Sequence, residues 1–158
     1  MLEVGDQAPE FTLYTLDGEP YTLSNLTVPV HLVFLRHLGC LPEFDYVGLL
    51  SDHQPEFLTL GLPVWIITFV EPEIVRIWKQ ETRVPFPVLL DTNREVYTAY
   101  GLGRSFWRSW HPVTLWYYAQ RLANGAKLKP GRGDPNQLGG DFTVGQHGQL
   151  TLVHYIDH

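Results

Sequence analysis

Apolar runs of strand length alternate along the chain with segments of helical spacing. Residues 28–35 and 63–70 are almost continuously apolar, which predicts strands buried on both faces of a sheet. Each run is followed by a proline suited to the first turn of a helix, Pro42 and Pro72. Because strand and helix alternate in this order, the pattern predicts parallel strands joined by crossover helices.

The helical segments have predictable limits and faces. Pro55 should interrupt the helix that starts near Pro42. In the next helix Ile74, Ile77 and Trp78 recur at positions i, i+3 and i+4, so they are expected on its buried face.

A third short strand and a short helix follow these elements. Residues 87–90 are apolar, and Asp91 is placed to cap a helix over residues 94–100. Gly101 then supplies the left-handed residue that commonly ends a helix. The strand and helix alternation therefore continues to about residue 101.

Two hairpins are predicted outside this alternating core. β-prone runs at 11–16 and 20–23 flank Asp17-Gly18, a dipeptide suited to a tight turn, and residues 141–144 and 149–155 flank a second turn. An N-terminal and a closing antiparallel hairpin are therefore expected.

Residues 103–135 have a different composition from the rest of the chain. Aromatic side chains are concentrated in their first part, and a polar, glycine-rich stretch follows. We predict a helical aromatic insertion and then a loop, both inside one domain that spans residues 1–158.

Composition and charge narrow the functional classes. The 158 residues are 44% hydrophobic, enough for one packed core, and a net charge of −6 disfavours nucleic acid. The longest apolar stretch, 62–70, is far shorter than the roughly 20 residues that span a membrane, and no basic leader precedes it. We expect a cytoplasmic protein that binds neither nucleic acid nor membrane.

The single cysteine, Cys40, sets the candidate chemistry. One cysteine excludes an intramolecular disulfide, a cysteine-rich zinc site and an iron–sulfur cluster, and the sequence predicts no cofactor and no metal site. Any thiol chemistry must therefore pair Cys40 with an outside partner.

Cys40 lies where a predicted strand passes into a helix, a position that can activate a thiol. The helix N-terminus, the guanidinium of Arg36 and a protonated His37 would each lower the pKa of the thiol. Glu43 would oppose them if it faced the sulfur, or it could pair with Arg36. The alternative is an inert cysteine that packs as a small core residue.

Seven segments carry motifs of a known family. Residues 34–40 contain Phe-x-Arg-x-x-x-Cys, and the other segments are 4–11, 16–18, 23–26, 86–91, 96–102 and 133–142. Together they resemble the alkyl hydroperoxide reductase and thiol-specific antioxidant family, in its peroxiredoxin-like branch. The resemblance implies an α/β, thioredoxin-like fold: a central mixed sheet flanked by helices, with an N-terminal β-hairpin.

The sequence departs from the family pattern near Cys40. Val33 and His37 occupy the positions of the family proline and threonine, and Glu43 stands where many relatives have a second cysteine. The family arginine before the late strand is absent from 138–141, so Arg36 is its candidate substitute. The chain stops just after the last predicted strand, where this fold usually adds a helix, so we expect truncation or a partner covering that face.

The resemblance implies a thiol-dependent peroxidase that reduces hydroperoxides through Cys40. The reductant would be an external thiol: glutathione, a thioredoxin-type protein, or Cys40 of a second copy in a homodimer. Two alternatives stay open. One is a non-catalytic binding module that uses the aromatic insertion, and the other is a glutathione-linked thiol transferase.

Overall fold

The computed structural model describes residues 1–38, 41–104, 112–125, 134 and 136–156, without the side chains of 41–43, 113–114 and 117–118. The strands are β1 (Thr12–Tyr14), β2 (Pro20–Thr22), β3 (Val30–Phe34), β4 (Val64–Thr68), β5 (Val88–Leu90), β6 (Gly140–Val144) and β7 (Leu150–Tyr155). The helices are α1 (Leu41–Asp52), α2 (Gln54–Leu60), α3 (Pro72–Thr82), α4 (Glu95–Ala99) and α5 (Pro112–Ala123), with a 3-10 turn at Leu23–Asn25.

The described strands form one mixed sheet in the order β2-β1-β5-β4-β3-β6-β7. β3 pairs in parallel with β4 and β4 with β5, whereas the other neighbours are antiparallel. This arrangement confirms the predicted fold class, both hairpins and the parallel centre. The assignment of 1–158 to a single domain stays a prediction.

The two central strands are buried as their apolar runs predict. Every residue of β4 is buried, and in β3 only His31 is partly exposed. A strand with neighbours on both edges and helices on its faces can present apolar side chains in both directions. The residues that follow the carboxyl ends of β3 and β4 are therefore attached to strands that are fixed in the buried core.

The predicted interruption of the first helix near Pro55 is confirmed. α1 stops at Asp52, and Pro55 lies in the first turn of α2, where its missing N–H costs no hydrogen bond. The predicted buried face of α3 is wrong in one position, because Ile77 is 49% exposed. Trp78 is buried as predicted and Ile74 packs, partly buried, against the core, while Val75 is buried where Ile77 was expected.

Asp91 caps α4 as predicted. Its Oδ2 accepts hydrogen bonds from the backbone N–H groups of Val96 at 3.0 Å and Tyr97 at 2.9 Å. Arg94, immediately before the helix, has a left-handed conformation with φ of 60°. This conformation is uncommon for a residue other than glycine, and it turns the chain sharply from β5 into α4.

The predicted insertion contains a helix. α5 confirms the helical part of residues 103–135, whereas 105–111, 126–133 and 135 lie outside the described residues. Arg121 of α5 forms an ion pair with Asp45 of α1, with Nη2 2.8 Å from Oδ1. The insertion helix is therefore attached to the helix that follows Cys40 in the chain.

Candidate functional site

The carboxyl ends of β3 and β4 are held together by hydrogen bonds. The Leu35 N–H donates to the Ile67 carbonyl at 3.0 Å. The Tyr97 hydroxyl of α4 lies 2.5 Å from the Leu35 carbonyl oxygen and 2.9 Å from that of Ile67. The backbone at Leu35, from which the chain continues toward Cys40, is therefore held in place by these hydrogen bonds.

An aromatic cluster supports this point from one face of the sheet. The ring of Phe34, the last residue of β3, lies 5.2 Å from Tyr97, 4.9 Å from Tyr100 and 5.6 Å from Phe142, measured between centroids. All four side chains are fully buried. Tilted and edge-to-face contacts of this kind add to the stabilisation from burial alone.

The structure places two of the four predicted site residues. Arg36 is buried, with 3% of its surface exposed, and His37 follows it at the end of β3. The predicted helix start near the cysteine is confirmed, because α1 begins at Leu41. Cys40 and the side chain of Glu43 lie outside the described part of the chain, so their roles stay predictions.

His37 is uncharged at neutral pH. Burial lowers the pKa of His37, the positive charge of Arg36 lowers it further and Asp134 raises it, which leaves a pKa of about 4. The prediction that a protonated His37 lowers the thiol pKa is therefore wrong near neutrality. The described positive charge on the β3–α1 connection comes from Arg36.

The segment before β6 packs directly against Arg36. A Cβ atom on Gly139 would lie 2.6 Å from the Phe34 carbonyl oxygen and 3.0 Å from Arg36 Cγ, which is closer than real Cβ atoms approach a carbonyl. Only glycine fits this position without a shift of the neighbours. The stretch 138–141, which lacks the family arginine, thus lies against the arginine predicted to substitute for it.

Sequence reasoning missed an ionic cluster beside this segment. Asp134 Oδ2 lies 3.0 Å from Arg94 Nη1 and 2.5 Å from Arg104 Nε. Arg94 Nη1 also donates to Gln137 Oε1 at 3.2 Å, and its guanidinium lies 4.4 Å above the ring of Phe69. The only sequence signal for this cluster was the family motif at 133–142, which assigns no role to Asp134. Arg94 lies 40 positions before Asp134 in the chain, so no local pattern links the two.

A second missed interaction anchors α1 to the sheet. The Tyr46 hydroxyl donates to Asp141 Oδ2 at 2.8 Å, and His154 Nδ1 lies 3.5 Å from the same oxygen. Asp141 is 6% exposed and pairs with Val33 across β6 and β3. The helix that starts beside Cys40 is therefore positioned by a buried carboxylate.

We expect the stability of the protein to fall as the pH drops from about 6.5 toward 4. The folded-state pKa of His37, about 4, lies below the ordinary histidine value of 6.5, so the unfolded chain binds the proton first. The contribution of the uncharged His37 ring to the free energy of unfolding is complete above pH 6.5. It is lost as the pH falls toward 4, by at most about 3 kcal/mol. Burial also lowers the pKa of His31, which acts in the same direction.

Urea unfolding at pH 7, 5.5 and 4.5 measures this dependence. The variant His37→Gln should show a weaker loss of unfolding free energy with falling pH. The matched control is His53→Gln, because the side chain of His53 is 56% exposed. Equal pH slopes for His37→Gln and the unmodified protein would contradict the assignment.

Two features are absent from the described residues. No helix among them is both long and apolar enough to cross a lipid bilayer. Within the same part of the chain, no three histidine, cysteine, aspartate or glutamate side chains are grouped to hold a metal ion.

Comparison with known proteins agrees with this fold. A Mycobacterium tuberculosis protein named "Putative peroxiredoxin Rv2521" is 32% identical over 101 residues, which span 63% of this chain and 64% of that protein. The thiol-disulfide oxidoreductase ResA of Geobacillus thermodenitrificans is 27% identical over 103 residues, 63% of this chain and 58% of ResA. Both matches cover less than two thirds of the relative's length.

A solved structure shares the fold over most of the chain. The crystal structure of peroxidoxin BcpB from Mycobacterium tuberculosis superposes with a TM-score of 0.71 at 19% identity, over 98% of this chain and 86% of that one. The family model described as AhpC/TSA antioxidant enzyme matches residues 49–158, more than two thirds of the sequence. The matched stretch begins after Cys40. The chain therefore belongs to the AhpC/TSA antioxidant enzyme family and has its thioredoxin-like, peroxiredoxin-like fold.

Proposed function

We propose that this protein is a thiol-dependent oxidoreductase, specifically a peroxidase that reduces hydroperoxides through Cys40 alone. The observation that carries the proposal is the buried guanidinium of Arg36, four residues before Cys40 on the β3–α1 connection. A buried positive charge interacts more strongly with a nearby anion than an exposed one does. It therefore favours the thiolate, which is the reactive form of cysteine.

The reaction divides into an oxidative and a reductive half. The Cys40 thiolate attacks the terminal oxygen of the hydroperoxide, the O–O bond breaks, and the leaving alkoxide takes a proton to become an alcohol. Arg36 and the N–H groups at the start of α1 would stabilise the charge that moves to the departing oxygen. Cys40 is left as a sulfenic acid.

An external thiol completes the cycle because the chain has no second cysteine. The first thiol condenses with the sulfenic acid, forming a mixed disulfide and water. A second thiol attacks the sulfur of the first, Cys40 leaves as the thiolate, and the two external thiols are joined in a disulfide. Glutathione, a thioredoxin-type protein and Cys40 of a second copy are the candidate reductants.

A second candidate is thiol–disulfide exchange. The match to ResA favours it, because that relative is named a thiol-disulfide oxidoreductase. The two functions differ in the oxidant: a peroxidase removes an oxygen atom from a hydroperoxide, whereas an exchange enzyme attacks an existing disulfide.

Mass spectrometry of the intact protein after a limiting amount of hydroperoxide separates these functions. We expect Cys40 to gain one oxygen atom, and glutathione to remove it with continued peroxide consumption. The control is Cys40→Ser, which should gain none.

Two results would contradict the peroxidase proposal. A mixed disulfide with oxidised glutathione, without peroxide consumption, would identify an exchange enzyme. A thiol unchanged by both reagents would identify a non-catalytic binding module.

A further inference from the structure

A cavity lies at the end of the sheet opposite the connection to Cys40. Its volume is about 280 Å³, and it is bounded by the N-terminal segment, the 3-10 turn, the start of β3 and the turn between β6 and β7. Val30 begins β3 on the cavity side, whereas Phe34 ends β3 about 13 Å further along the strand, where the connection starts. The cavity is therefore separate from the candidate thiol site.

The inner part of the cavity is apolar and belongs to the core. Ala8, Leu23, Val30 and Val144 line the cavity and are buried. Val30 pairs with Val144 across β3 and β6, so this part of the lining is fixed by the sheet. Val28, also in the lining, is 41% exposed, which shows that the cavity is open to solvent.

One carboxylate lines the cavity and is held in place by the backbone. Oε1 of Glu10 accepts hydrogen bonds from the N–H groups of Phe11 at 3.0 Å and Ser24 at 3.1 Å. Both bonds use the same oxygen, so the lone pairs of Oε2 are available to a ligand. Glu10 is the only acidic residue of the described lining, which contains no lysine or arginine; its other polar members are Gln7, Ser24, Gln146 and His147.

Size and charge together define the class of ligand that fits. An apolar cavity of about 150 Å³ holds one benzene molecule, so about 280 Å³ accommodates a single ring or a short alkyl chain with a polar head. Ligand sites typically combine an apolar lining with a few polar groups that fix the orientation of the ligand. The charge of Glu10 attracts a cation and repels an anion.

We propose that this cavity is a binding site for a small organic cation, an ammonium group carried on an apolar body. The apolar body packs against Val30 and Val144, and the ammonium group donates hydrogen bonds to Glu10. The site uses no atom of the Arg36–Cys40 connection, so it goes beyond the proposed oxidoreductase function and does not depend on it.

Titration of the full chain with phenethylamine, followed by the backbone amide signals in NMR spectra, tests the site. We expect saturable shifts at Ser24, Val144 and Gly148, with a Kd on the order of 1 mM for so small a molecule. Phenethyl alcohol has the same body without the charge and should bind about two- to fivefold more weakly. Hydrocinnamate, which carries a negative charge on a similar body, should bind more weakly still.

Glu10→Gln removes the charge and keeps an oxygen that accepts the Phe11 and Ser24 N–H groups. Its affinity for phenethylamine should fall about two- to fivefold, to that for phenethyl alcohol, while its affinity for the alcohol stays unchanged. Glu19→Gln is the matched control, because Glu19 lies in the turn between β1 and β2, outside the lining. Its affinities should equal those of the unmodified protein.

Val28→Phe tests the cavity without changing its charge. Val28 is 41% exposed, so the larger side chain should be tolerated and should occupy part of the cavity. We expect this variant to lose affinity for both the amine and the alcohol. The proposal would be overturned by equal affinities for the amine, the alcohol and hydrocinnamate, or by the lack of saturable shifts at the lining residues up to about 10 mM phenethylamine.

Discussion

Replacing Phe34 with alanine is expected to lower the free energy of unfolding by about 3–5 kcal/mol, the usual cost of removing a large buried aromatic side chain. Phe34 is fully buried at the end of β3, and its ring contacts Tyr97, Tyr100 and Phe142. The cavity would be bounded by rigid rings that cannot collapse into it, because Tyr97 is also held by two backbone carbonyls. Urea unfolding at pH 7 measures the loss.

The matched control is Trp116→Ala in α5. Trp116 is 65% exposed, so its removal should change the unfolding free energy by no more than about 0.5 kcal/mol. Because both variants lose an aromatic ring, the difference between their unfolding free energies reports the effect of burial. A Phe34→Ala variant as stable as Trp116→Ala would contradict the description of the core beneath the site.

Replacing Gly139 with alanine is expected to cost about 1–3 kcal/mol, because the added carbon overlaps atoms that cannot rotate away. The nearest atom is the Phe34 carbonyl oxygen, 2.6 Å from the position that the new Cβ would take, and it belongs to the backbone of β3. Arg36 Cγ lies 3.0 Å from the same position, so the shift would also displace the arginine. We therefore expect the pH midpoint of Cys40 alkylation by iodoacetamide to rise, because the arginine would stabilise the thiolate less. Urea unfolding at pH 7 should show the lower free energy of unfolding.

Gly103→Ala provides the control for this substitution. No heavy atom lies within 4 Å of an added Cβ at Gly103, and its backbone conformation accepts an ordinary side chain. The change should be neutral or slightly stabilising, since alanine restricts the unfolded chain. Equal stabilities of the two variants would rule out the close approach of Gly139 to β3.

The parts of the fold that were predictable have strong local signals. β3 and β4 are short apolar runs bounded by prolines and polar residues, and Asp17-Gly18 marks the first hairpin by its turn chemistry. Asp91 was identified as a cap because the preference for such residues at helix starts depends on neighbouring positions only. In each case the determining interaction lies within a few residues.

The errors and omissions depend on tertiary context. Ile77 fits the helical period, but which apolar residues meet the core depends on where the sheet lies relative to α3. The charge of His37 depends on its burial and on Asp134, nearly a hundred positions later. No periodicity or short motif reports an interaction of that sequence separation.

The candidate site was predicted in part. The helix start after Cys40 and the position of Arg36 at the end of a strand followed from the order of apolar segments. The contact of Asp134 with Arg94, and that of Tyr46 with Asp141, required the three-dimensional structure. The reactivity of Cys40 depends on the electrostatic potential at its sulfur atom. The sequence alone does not decide between an active and an inert thiol.

The location of β3 has a consequence for how this site can work. β3 is paired along its length on both edges, four residue pairs with β4 and five with β6, whereas β1 meets β5 through a single pair. Amide hydrogens in such a doubly bonded strand exchange with solvent only on extensive opening. The strand that leads into the connection to Cys40 is thus held on both edges by its neighbours, whatever binds beyond its end.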